Sequence, residues 1–284
     1  MKAMKKLTAL LLALAMALAL CACSNQGDAP TPTTAPSEGT EESTAPSQGA
    51  EPAALTTAEE GKLHMATNAA FPPYEMITDS GDFEGIDVEV ATEIAKKLGL
   101  ELVVDDMDFT AALTAAANGQ SDIVMAGVTV NEERQQTLDF TDSYATGVQV
   151  VIVKEGSDVT MDNLGEKMIG TQKGTTGYIY ASDTPENGGY GEEHVIGYDN
   201  GAVAVEALKG GQIDCVIIDN EPAKAYVAAN EGLTLLEGTW VTENYAIGVK
   251  KGNTQLVDAV NAALKELIED GTVQRIIDKY IPAE

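Results

Sequence analysis

The chain has 284 residues, with 45 Asp or Glu against 17 Lys or Arg, for a formal net charge of −28 at pH 7. That excess of acid excludes nucleic acid as a partner, because phosphate backbones are held by clustered cations, and its simplest consequence is solubility. With 3 cysteines and 2 histidines, a disulfide framework, a histidine-rich metal site and a Ser-His-Asp arrangement are excluded, while 44% hydrophobic residues supply a core for one large domain or two small lobes.

Lys2, Lys5 and Lys6 precede an apolar run over 7–20. A basic start followed by a run too short for a comfortable membrane span reads as an export signal, 1–22. Leu20-Cys21-Ala22-Cys23 resembles a bacterial lipobox, with a large apolar residue three before the second cysteine and a small one directly before it. Cys23 is therefore the expected lipidated N-terminus, and Cys21, preceded by bulky Leu20, fits worse. Residues 23–60 are rich in Thr, Pro, Ser, Glu, Gly and Ala. They cannot bury enough apolar surface to order, and are expected as a tether with an r.m.s. span on the order of 30–35 Å.

From Gly61 onward strand-like and helix-like runs alternate. The pattern predicts a strand over 62–67, a helix over 87–98 stopped by Gly99, a strand over 100–104 and a short helix over 110–117. Further strands are predicted over 122–130, 149–154, 168–171, 213–218 and 245–250. An amphipathic helix over 256–269 ends at Gly271, and a second one runs to Tyr280. This alternation argues an α/β fold with parallel strands. Asn118-Gly-Gln-Ser-Asp122-Ile-Val and Gly210-Gly-Gln-Ile-Asp214-Cys-Val are near copies, each following a helix and opening an apolar strand. They imply two similar lobes, crossed by the chain near 144–149 and 242–247. Cys215, in the apolar run IDCVIID, reads as a buried, inert thiol.

In open α/β sheets ligands sit beyond the carboxyl ends of strands. Three such ends carry suggestive residues. The first delivers Gly127, Thr129 and then Arg134, whose guanidinium suits a small carboxylate, with backbone N–H groups assisting. The second delivers Asp219. The third delivers Gln172-Lys-Gly-Thr-Thr-Gly177 at a helix start, an anion cradle by virtue of its outward N–H groups. An arginine, a helix N-terminus and an aspartate together describe a site for an α-amino acid: Arg134 for the carboxylate, N–H groups near Thr129 and Thr176 beside it, Asp219 for the ammonium. The plainer readings stand beside these. Arg134 follows two glutamates and suits an exposed helix, Thr175, Thr176 and Asp219 suit helix caps, and Phe71 and Phe109 suit a core.

The segments ATNAAFPPYEM, GDFEGIDVEVATEIAKKLG, NGQSDIVMAGVTVNEERQQTLDFTDSY and GGQIDCVIIDNEPAKAYV resemble bacterial extracellular solute-binding proteins of family 3, the polar amino-acid receptors of ABC importers. The resemblance implies a two-lobed periplasmic-binding-protein-like (type II) clamp with two hinge strands, divided as lobe 1 over 61–146, lobe 2 over 147–244 and lobe 1 again over 245–284. It implies that Arg134, Gly127 and Thr129 hold the amino-acid head group with Thr175 and Thr176, that Asp219 takes the ammonium, and that Asn68, Phe71 and Phe109 line the side-chain pocket. Many members carry an aspartate where Asn68 stands, so asparagine here turns the expectation away from a cationic ligand and toward neutral polar or acidic amino acids. Glu75, in the PPYE motif, suits a structural role as well as ligand contact. The implied partners are a free amino acid, the membrane-spanning permease and, through the lipid anchor, the membrane, with a monomer acting on the extracytoplasmic face. Neither cofactor, metal nor catalysis is implied. The alternatives on the same clamp are a cyclohexadienyl-dehydratase-like enzyme and a sensory amino-acid-binding module.

Overall fold

A computed structural model describes residues 55–282. The export signal, Cys23 and the tether up to residue 54 lie outside the described residues. The chain enters through β1 (Lys62–Thr67), the short strands β2 (Ala70–Phe71), β3 (Glu75–Ile77) and β4 (Phe83–Glu84), helix α1 (Ile86–Leu98), β5 (Glu101–Asp106), α2 (Phe109–Asn118) and β6 (Ile123–Val124). The long strand β7 (Leu138–Lys154) leads to β8 (Ile169–Gln172), α3 (Thr176–Ser182), β9 (Val195–Tyr198), α4 (Gly201–Lys209), β10 (Cys215–Asp219), α5 (Asn220–Ala229) and β11 (Leu233–Leu235). A second long strand, β12 (Val241–Lys250), leads into α6 (Thr254–Glu269) and α7 (Thr272–Tyr280).

One 9-stranded sheet runs in the order β5-β1-β6-β12-β7-β10-β8-β9, with β11 on β7. At one end β1 pairs in parallel with β5 and β6, and at the other β8 pairs in parallel with β9 and β10. The expected parallel order therefore holds within each end. The middle is antiparallel, because β7 and β12 run past each other along almost the whole length of β12.

Each end of the sheet has an apolar layer on both faces. Leu63, Met65 and Ile123 pack with Ile94 of α1 and Leu264 of α6, while Ala66 and Val124 pack with Ala112 of α2 on the opposite face. The second end repeats the arrangement. Ile152 and Val216 pack with Leu208 of α4, while Val151, Val153 and Ile217 face the other way toward Ala181 of α3. Neighbours along a strand alternate between the layers, as a period of two requires. Two cores built on one curled sheet make two lobes, threaded by β7 and β12. Those two strands lose strict register between Tyr245 and Ala246 and again between Ala246 and Gly248, and such irregularities bend and twist a ladder where it passes between layers.

The repeated GQxD segment has the same task in both lobes. The N–H of Asp122 donates to the His64 carbonyl (2.9 Å) and its carboxylate accepts from the His64 N–H (2.7 Å). Asp214 does the same with Met168, at 2.8 Å in both directions. Each aspartate thus locks the start of a new strand onto its parallel neighbour. The glycine that opens the first copy, Gly119, ends α2 in the left-handed conformation at φ 76°, where glycine has no Cβ penalty.

The expected strand over 122–130 is shorter than the sequence suggested. Only Ile123–Val124 is strand, and one bridge, Thr129 to Tyr245, follows. The neighbouring β1 stops at Thr67, so the parallel ladder ends with the Met125 N–H donating to the Ala66 carbonyl (3.2 Å), and the backbone then turns toward the gap between the lobes, with Gly127 at φ 54°.

Gly85 lets the start of α1 pack closely against the backbone of Tyr74. It sits at φ 130°, and a Cβ there would lie 2.2 Å from the Tyr74 carbonyl oxygen. Gly85→Ala is expected to lower unfolding free energy by at least about 2 kcal/mol through strain and overpacking. Urea unfolding with an unchanged m-value measures this, and a loss under about 0.5 kcal/mol, the range of an ordinary surface change, is incompatible with such packing.

Candidate functional site

Between the lobes lies a narrow cavity of about 30 Å³, with Asn68, Phe71, Phe109, Gly127, Thr129, Arg134, Thr175, Thr176 and Asp219 all on its wall. The site residues expected from sequence therefore come together. All but Phe71, which lies on β2, lie at or beyond the carboxyl ends of β1, β5, β6, β8 and β10, as the strand-end rule anticipates.

Arg134 opens a short 3-10 turn, its N–H capped by Asn131 Oδ1 at 2.8 Å, and its side chain is buried at 7% exposure. It is not the exposed helix arginine that two preceding glutamates allowed. Nη1 donates to the Thr129 carbonyl (2.7 Å) and Nη2 to the Gly174 carbonyl (3.1 Å), so one guanidinium ties the two lobes together. The Phe109 ring lies 5.3 Å from the guanidinium carbon, a cation–π arrangement that also fixes its plane. Burial pushes the Arg134 pKa down, opposed by the carboxylate of Glu243.

Of the two threonines only Thr175 keeps its plainer role as a cap, Thr176 being the first residue of the helix itself. Thr175 is the N-cap of α3: its Oγ1 accepts from the Tyr178 N–H at 3.3 Å and donates to the Gln172 carbonyl at 2.8 Å. Gly127 does not offer a free N–H, since that group donates to Asp87 Oδ2 at 3.0 Å. Asn68 is engaged at both ends, donating to the Met107 carbonyl at 3.0 Å and accepting from Gln172 Nε2 across the gap at 2.9 Å.

Asp219 is 1% exposed, caps α5, and accepts a hydrogen bond from the Tyr245 hydroxyl. The Tyr245 ring is set edge-on against Tyr74 at 5.3 Å in the first lobe. Gly147 leaves room for this pairing, since a Cβ there would fall 2.3 Å from the Tyr245 hydroxyl and 2.6 Å from Asp219 Oδ2. Burial raises the Asp219 pKa to about 7 against the pull of the Tyr245 hydroxyl and the Glu221 N–H.

A second acidic group sits beneath the wall. Glu75, fully buried on β3, lines the cavity, and its carboxyl meets that of Asp87 through a shared proton, with no backbone N–H at its oxygens. Burial, followed by the field of Asp87, pushes its pKa well up. Asp87, in the first turn of α1, accepts from the Tyr144 hydroxyl at 2.7 Å and from the Gly127 N–H. Burial raises it to about 6 despite those donors.

Sequence reasoning missed Glu243, Gln149 and Tyr245, which reach the cavity from the two long strands. Gln149 Nε2 donates to Glu243 Oε2 at 3.0 Å, both side chains about 5% exposed or less. The available signal was a polar residue inside an apolar strand pattern, which by itself also suits a solvent-facing position.

Two lobes with separate cores, closed over a cavity walled by a buried guanidinium and buried carboxyls, define a solute-binding clamp. The chain belongs to the bacterial extracellular solute-binding proteins, family 3, whose profile matches residues 63–283. It is 32% identical over 240 residues to a probable histidine-binding protein of Neisseria gonorrhoeae, covering 82% of this chain and 88% of that one. Identity to the ABC transporter glutamine-binding protein GlnH of Bacillus subtilis (strain 168) is 33% over 214 residues, 72% and 76% of the two chains. An ancestral arginine-binding protein solved with glutamine bound matches with a TM-score of 0.73 at 35% identity, over 79% of this chain and 100% of that structure. The two-lobed type II fold is thus shared, and the chain is a solute-binding protein rather than an enzyme. Among the described residues no helix is long and apolar enough to cross a membrane.

The raised carboxyl pKa values fix the sign of a pH dependence. Asp219, Asp87 and Glu75 bind protons more tightly folded than unfolded, so their contribution favours the fold at low pH and is lost as pH rises through about 7. The ligand-free melting temperature is expected to fall between about pH 4.5 and pH 7.5, and Asp219→Asn to flatten the upper part of that slope. Calorimetric melting across the window measures it, and an unaltered slope in the variant rejects the buried, proton-binding Asp219.

Proposed function

We propose that this chain is the extracytoplasmic receptor of an ABC importer, holding one polar amino acid between its lobes and delivering it to a membrane permease as a lipid-anchored monomer. The observation that carries the reading is the burial of Arg134 and Asp219 in one cavity, from different lobes. A free amino acid has a carboxylate for the guanidinium and an ammonium for the aspartate. Charge-assisted hydrogen bonds of this kind contribute roughly 1.5–3 kcal/mol each. A few of them, less ordering and desolvation, are consistent with micromolar binding, about −8 kcal/mol.

The mechanism is hinge closure about the paired crossings, with the lobes divided at 146/147 and 244/245. Direct contacts between lobes already exist: Arg134 to Gly174, Gln172 to Asn68, Tyr226 Oη to the Ala70 carbonyl at 3.0 Å, and Tyr245 to Asp219. A ligand that touches both walls adds to the closed form alone and shifts the population toward it, and the closed shape is what the permease reads. Lipidation at Cys23 keeps the receptor beside its permease while the tether lets it search. The relatives named for histidine, glutamine and arginine support an amino acid as cargo.

A fluorimetric melting panel of the twenty amino acids tests the reading. The cognate ligand at a hundredfold excess over Kd is expected to raise the melting temperature by roughly 5–10 °C. Arg134→Ala should abolish that shift while preserving the far-ultraviolet spectrum. Undiminished calorimetric binding by the variant rejects the role given to Arg134.

A further inference from the structure

The grip of the second lobe on the first extends beyond the residues that face the cavity. The cross-lobe bonds of Arg134, of Gln172 with Asn68 and of Tyr245 with Asp219 all use residues of the wall. The bond from the Tyr226 hydroxyl to the Ala70 carbonyl (3.0 Å) uses none, since neither residue lines the cavity. Tyr226 lies on α5, and Ala70 opens β2, which continues directly into Phe71. The Phe71 ring packs against the cores of both lobes and stacks on Tyr74 at 5.6 Å. A short strand of the first lobe is thus held by the second through its backbone and its aromatic ring.

The hydroxyl is held in place for that contact. Gly201 leaves room for the ring, since a Cβ there would fall 3.0 Å from Tyr226 Cε2 and 3.2 Å from its Oη. The Tyr226 oxygen accepts from the Ala202 N–H in the first turn of α4, a helix-start donor that no carbonyl of its own helix can reach. The hydroxyl proton is left for Ala70. Burial pushes the Tyr226 pKa up to about 12 against that N–H, so the proton stays in place at physiological pH. The ring also packs on the second core, a task that a phenylalanine would perform equally well, so packing accounts for the ring and not for the hydroxyl. In an opened clamp the hydroxyl and the carbonyl both return to water, and the bond belongs to the closed form alone. Such a contact raises the closed population without altering what the ligand itself touches, and so multiplies the affinity of every ligand by one factor.

We propose that Tyr226 is a latch, a positioning residue that does not touch the bound amino acid and that sets the affinity of the receptor by holding the 70–71 strand to the second lobe in the closed form. The inference rests on the amino-acid receptor reading above and adds a residue that governs how long a ligand is kept rather than which ligand is chosen. Selection stays with the wall of the cavity, and retention is tuned from outside it. One hydrogen bond of this kind corresponds to a change of about three- to tenfold in the ratio of closed to open clamp.

The test is calorimetric titration and stopped-flow release with the intact protein and with Tyr226→Phe, the probes being those of the twenty L-amino acids that raise the wild-type melting temperature. Tyr226→Phe keeps the ring and removes the hydroxyl alone. It is expected to weaken every one of these ligands by the same factor, about three- to tenfold, through faster dissociation, with association changed by less than about twofold. A dissociation constant within about twofold of the wild type overturns the proposal. So does a loss that differs by more than about threefold from one ligand to the next, the sign that Tyr226 meets the ligand itself. A loss carried by slower association, the mark of a merely distorted site, does so as well. These results leave the receptor reading standing. Failure of all twenty amino acids to bind the wild type removes the receptor reading, and the latch with it.

Discussion

Antiparallel pairing of β7 with β12 is the constraint on which both lobes depend. These strands carry residues of both cores, Leu138 and Tyr144 in the first and Val150 to Val153 in the second. They also place Gln149, Glu243 and Tyr245 on the wall of the cavity. Because the backbone hydrogen bonds of the crossing belong to a ladder, the lobes are held in register while their faces remain separate. The register shifts around Ala246 lie at this crossing, where a regular ladder would be stiffest.

The cavity is an electrostatic compromise made possible by that crossing. Taking carboxyls out of water is expensive unless they are paired or protonated. Asp219 is partly relieved by Tyr245 and the start of α5, and Asp87 by Tyr144 and the Gly127 N–H. Arg134 meets backbone carbonyls rather than a carboxylate, so its charge remains available to an anion entering from solvent. A solute-binding clamp benefits from leaving such demands open in its interior, since the ligand then supplies what the protein lacks and closure becomes conditional on it.

Much of this was legible locally. Helix α1 begins one residue before its expected start and ends at the expected Gly99, since a period near 3.6 and a left-handed glycine stop are short-range properties. The two GQxD segments pointed to two lobes, and each aspartate bonds the same way to its neighbouring strand. The extent of β6 was not legible. Residues 125–130 have strand-like composition, but β1 ends at Thr67 and Gly127 turns the chain at φ 54°, so the ladder breaks and only an isolated bridge from Thr129 to Tyr245 follows. Gly127 likewise kept its place on the wall while its N–H went to Asp87, forty residues earlier in the chain.

The sequence by itself determined the alternation of strands and helices, the likeness of the two lobes, and the placing of Arg134, Asp219 and the Thr175-Thr176 helix start at strand ends, because each of these follows from patterns a few residues long. Tertiary structure alone decided that Glu75 is buried against Asp87, that Asn68 is occupied, that Tyr245 reaches Asp219, and that Glu243 pairs with Gln149. Those outcomes depend on which distant segments exclude water from a side chain and which donors arrive beside it, and no local pattern encodes either.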